Sequence, residues 1–94
     1  MNTREARTII AKELLPYRKK SYADLRGMID AEPVTYEVRG DGQANFQIEI
    51  QAFWDDEPGG DIRVRGAIDD GGFRAYFPLC EDFILAPSGK FVDE

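Results

Sequence analysis

The apolar residues of this chain change period at Pro33, and that switch constrains the fold more than any other feature. Before it they recur every three or four residues, as Ala6, Ile9, Ile10, Leu14 and Tyr17, then Tyr22, Leu25, Met28 and Ile29. This spacing gathers them on one side of a helix. After it they alternate, in Val34, Tyr36 and Val38, then Phe46, Ile48, Ile50, Ala52 and Trp54, then Ile62, Val64, Gly66 and Ile68, then Phe73, Ala75, Phe77 and Leu79. Alternation puts every second side chain on one face of a strand.

The implied fold is α+β, with one or two N-terminal helices (about residues 3–29) packed on a four- to five-stranded antiparallel meander (about residues 33–93). A curved, cystatin-like cone and a flat two-layer sandwich both fit this element order. Asn2 with Glu5, and Ser21 with Asp24, have the spacing of helix N-caps. Pro16 cannot donate to a helix and clashes with its preceding turn, so the first helix is expected to end or kink near Leu14. Arg18-Lys19-Lys20 then reads as a basic linker. Ninety-four residues make one domain with no room for a second core. A single cysteine, Cys80, permits no internal disulfide, so packing alone must hold the fold. The charged start of the chain lacks the apolar stretch of a signal peptide, and no apolar run is long enough to span a membrane. Cytoplasm is the expected compartment.

Asp70-Gly71 is the strongest short hairpin signal. A two-residue turn there would pair Asp69 with Gly72, setting Ile68 against Phe73, Gly66 against Ala75, Val64 against Phe77 and Ile62 against Leu79. Inward residues meet inward residues throughout this register. Phe83-Ile84-Leu85 would then be a later segment. Gly66 and Ala75, with Ala52 near them, form a low stripe between larger residues. Such a stripe seats a helix; its alternative use is a small-molecule pocket under that helix, lined by Ala52, Gly66 and Ala75.

The net charge of −6 is unevenly placed: +4 through Ile29 and −10 from Asp30 onward. An acidic sheet repels a phosphate backbone, so nucleic acid is not an expected partner, nor is a membrane. A protein with a basic surface, or a second copy, is. The chain has no histidine. That removes the commonest general base and zinc ligand. One cysteine excludes cysteine-rich zinc sites, and no Gly-rich loop joins a strand to a helix, so no phosphate-binding motif has its context. Cys80 sits beside Glu81 and Asp82, which disfavour a thiolate. These features point away from catalysis and imply no cofactor.

Two clusters remain. Asp55, Asp56, Glu57 and Asp61 lie in the loop after the second strand, and the expected register brings Glu81 and Asp82 to the same rim. Six acids there would be weak metal ligands or, more plainly, a solvated edge. On the sheet face away from the helices, Phe53 and Tyr76 stand among Arg63, Arg65 and Arg74, a mixture typical of protein interfaces. Pairing of these arginines with Glu49 or Glu37 is the structural alternative. The reading that follows is a non-catalytic protein-interaction module, self-association through that face included.

Overall fold

A computed structural model of the chain describes residues 1–42, 44–72 and 78–94. Two helices, α1 (Thr3–Arg18) and α2 (Tyr22–Ile29), precede four strands, β1 (Val34–Arg39), β2 (Asn45–Trp54), β3 (Ile62–Asp69) and β4 (Leu79–Leu85). The strands form an open antiparallel sheet in chain order, with β1 and β4 at its edges and both helices on one face. This is the expected helix-then-meander α+β fold.

Both N-caps form as the spacing requires: Asn2 Oδ1 accepts from the Glu5 amide at 3.0 Å and Ser21 Oγ from the Asp24 amide at 3.1 Å. Pro16, however, does not end α1, which runs on to Arg18. Contacts beyond the helix hold its last turn. The Arg18 guanidinium donates to both Glu94 carboxylate oxygens at 2.8 Å and lies 4.8 Å from the Phe83 ring and 5.4 Å from that of Phe91. Tyr17 packs against the core. These tertiary contacts outweigh one missing backbone hydrogen bond, and only Lys19 and Lys20 remain of the expected linker.

The core fills the space between helices and sheet. Ala6, Ile10 and Leu14 of α1 and Leu25 of α2 meet Phe46, Ile48, Ile50 and Ala52 of β2, Ile62, Val64 and Ile68 of β3, and Phe83 and Leu85 of β4. No described polar side chain is buried. A β-carbon placed on Gly66 would lie 2.8 Å from Ile10 Cδ1 and 3.2 Å from Leu14 Cδ2, so α1 rests directly on that glycine. With Ala52 also buried, the space assigned to the alternative pocket is occupied by the helix. Ala75 lies outside the described residues.

The register between the last two strands differs from expectation. Leu79 stands opposite Ile68, Glu81 opposite Gly66, Phe83 opposite Val64 and Leu85 opposite Ile62. Leu85 rather than Leu79 faces Ile62, a slide of six residues. Because six is even, inward residues still meet inward residues, so alternation is satisfied equally by both registers. Pro78 separates them. The expected strand contained it, whereas here it precedes β4, where a proline costs no ladder hydrogen bond. Phe73–Phe77, the expected fourth strand, lies outside the described residues.

The flanks of α1 tie down both sides of the sheet. Arg7 reaches Glu81 of β4 at 3.1 Å, and the Tyr36 hydroxyl of β1 donates to Glu13 at 2.7 Å. Burial, then the Glu13 contact, raises the Tyr36 pKa well above the ordinary tyrosine range.

Replacing Gly66 by alanine is expected to destabilise the fold by about 1–2 kcal/mol in urea unfolding, and Ile10→Val in the same chain to recover part of that loss. An undiminished midpoint for Gly66→Ala would contradict the seat. The Tyr36 phenol is held neutral in the folded state while the unfolded chain ionises near pH 10, so its stabilisation is complete below that pH and lost above it. Stability should therefore fall as pH rises past about 10, and Tyr36→Phe should flatten that decline.

Candidate functional site

The register places Phe53, Arg63 and Arg65 together on the sheet face that the helices leave open. Phe53 of β2 is the direct cross-strand partner of Arg63 on β3, which in turn faces Ile84 on β4. The Arg65 guanidinium lies 4.9 Å from the centre of the Phe53 ring, a cation–π contact. Around them Gln47, Glu49, Gln51, Cys80 and Asp82 are exposed, as expected for a solvated face. Arg74 and Tyr76, expected on the same face, lie outside the described residues.

Arg63 is pinned from two sides. It donates to Asp55 at 2.8 Å, from the loop after β2, and to Asp82 at 2.7 Å, from β4. Those hydrogen bonds, Asp55 first and then Asp82, raise its pKa further. The partners expected for the arginines were Glu49 or Glu37. Glu37 instead accepts from the Gln47 side-chain Nε2 at 2.7 Å, and Glu49 stands opposite Ala67. Asp55 follows Phe53 and Trp54 at the end of β2, beside Arg63, whereas Asp82 becomes a partner only because β4 slides to bring it opposite Arg65, two residues along β3 from Arg63. The mid-strand position of Asp82 was the missed signal, and it follows once Pro78 is allowed to precede the strand.

The same slide dissolves the expected acidic rim. Glu81 lies within β4 opposite Gly66, on the helix side, and is bound to Arg7. Asp82 lies on the opposite face with Arg63. Asp56 and Glu57 are exposed in the loop after β2, and Asp61 is half-buried just before β3. Among the described residues no group of three or more acids, cysteines or histidines could hold a metal ion. The Cys80 thiol is exposed at the surface. Partial burial pushes its pKa up, Asp82 and Glu49 add to this, and Arg65 opposes it. That environment favours the thiol over the nucleophilic thiolate.

What this arrangement offers chemically is contact. Two arginines and an aromatic ring are held in fixed positions on an accessible surface, one by carboxylates and one by stacking. A double-mutant cycle on Arg63→Met and Asp82→Asn should return a coupling of about 0.5–1 kcal/mol that shrinks with added salt, as for a half-exposed pair. Zero coupling at low salt would mean that the pair does not order Arg63. No helix among the described residues is long and apolar enough to cross a membrane. Neither a protein-family model, nor a curated protein, nor a solved structure matches this chain.

Proposed function

We propose that this chain is a cytoplasmic, non-catalytic protein-interaction module whose contact surface is the open face of its sheet, centred on Phe53, Arg63 and Arg65. The observation that carries this reading is the Arg65–Phe53 stack beside an Arg63 clamped by two aspartates. Arginine and aromatic side chains dominate binding energy at protein interfaces, and a side chain already held in place loses less entropy on binding. Ile84, half-buried opposite Arg63, extends the apolar part of the patch.

The partner surface is basic overall with room for an acidic contact. Acids on or beside this face (Glu37, Glu49, Asp55, Asp69 and Asp82) outnumber its arginines (Arg39, Arg63 and Arg65), and the strand half of the chain carries the −10 balance. Such a field speeds encounter with a cationic protein and repels nucleic acid.

Immobilised protein in an extract of its source cells at low ionic strength should retain a partner. Phe53→Ser and Arg65→Ser variants with unchanged melting temperature should retain it at least about tenfold less well. Equal retention by wild type and both variants would overturn the reading.

A further inference from the structure

The two edges of the sheet differ. Along β4 the chain's own C-terminal residues turn back: Phe91 bridges Leu85, the Val92 amide donates to the Ile84 carbonyl at 2.9 Å, and the Ala86 amide to the Lys90 carbonyl at 2.9 Å. Along β1 no described residue pairs with the outward side. The Gly40 amide donates to the Ala44 carbonyl at 3.0 Å, in line with the β1–β2 register. Even-numbered residues of β1 therefore turn their backbone groups towards β2, and Thr35, Glu37 and Arg39 turn theirs outward. The helices pack chiefly on β2, β3 and β4, so β1 is thinly covered. Val34 is 39% exposed and Val38 half-buried. An open cleft of about 700 Å³, lined by Thr8, Ile9, Arg39 and Gly40 among others, lies between α1 and the end of this strand.

An unpaired edge with an apolar inner side accepts one more extended strand. We propose that this strand is β1 of a second copy, paired antiparallel about a two-fold axis normal to the sheet, with Glu37 opposite Arg39 of the second copy. A two-fold of this kind keeps every residue on its own face, so odd residues meet odd and even meet even. Charge then selects among the allowed registers. Glu37 opposite Glu37 sets like charges together. Glu37 opposite Thr35 sets Arg39 against Pro33, which has no amide hydrogen to donate. Glu37 opposite Arg39 forms an ion pair on each side of the axis and uses the outward backbone groups of both residues. It also brings Val38 against Val38 at the axis and sets Tyr36 opposite Gly40, so no further charges are opposed. The contact is self-complementary, so it closes at two copies and leaves the Phe53 face open on both.

Sedimentation equilibrium tests this. The wild-type chain should form a dimer of the 10.6 kDa protomer. Glu37→Arg alone and Arg39→Glu alone should each weaken it about tenfold, because each reversal replaces both ion pairs by like charges. The double reversal Glu37→Arg/Arg39→Glu should restore wild-type affinity. Glu37→Pro removes the outward amide together with the carboxylate, leaves the amides that face β2 in place, and should abolish the dimer while the circular-dichroism spectrum and monomer fold persist. A wild-type monomer at every concentration, a dimer indifferent to either single reversal, or a double reversal that fails to restore affinity would each overturn the proposal.

Discussion

α1 lies low on the sheet because Gly66 presents no side chain beneath it, and most of the molecule follows from that approach. With Ile10 and Leu14 seated on the glycine, Ala6 is also buried, and the layer between helix and sheet closes without a gap. The height of the helix sets what its flanks reach. Arg7 meets Glu81 on one side and Glu13 meets Tyr36 on the other, so a single helix spans from β4 to β1. Its last turn carries Arg18 over Phe83 and Phe91, whose rings meet edge to face with centroids 5.7 Å apart. That contact fixes the C-terminal segment beside β4. Gly40 plays a similar part at the other end of the sheet, where a β-carbon would meet the Phe46 ring at 2.5 Å.

Covering one face commits the other to solvent. The apolar content of the strands is spent on the helix side, and the opposite side is filled with glutamine, glutamate, arginine and aspartate. Within that polar field the Phe53–Arg63–Arg65 group stands out because its members restrain one another. Exposed arginines ordinarily sample many rotamers, and ordering them on binding opposes affinity. Here the β2–β3 loop and β4 each supply a carboxylate to Arg63, and β2 supplies a ring to Arg65, so the ordering is made during folding.

The two edges complete the division of labour. At β4 the chain folds its own end back along the strand, whereas β1 keeps outward backbone groups and half-covered valines. Charges on β1 limit what can add there: alternation of Glu37 and Arg39 on one side of the strand disfavours most pairings and suits a complementary one. Face and edge therefore offer separate surfaces, one built from side chains and one from backbone.

Much of this was legible in the order of residues. The periods of 3.6 and 2, the caps at Asn2 and Ser21, and the inward members of β2 and β3, Gly66 among them, are local or nearly local properties, each readable from neighbouring residues. So was the placing of Phe53, Arg63 and Arg65 on one face, since parity along a strand decides it. Three features were not. Helix α1 passes Pro16 because Arg18 and Tyr17 are held by residues distant in sequence, and no local rule contains those contacts. The β3–β4 register slides by an even number of residues, which leaves the hydrophobic alternation intact and so invisible to it. The pairing of Asp82 with Arg63 and the placing of Glu81 within the strand depend on that slide. The order of residues assigns each one to a face, but packing across the whole fold settles which residues sit opposite one another, because alternation encodes side and not register.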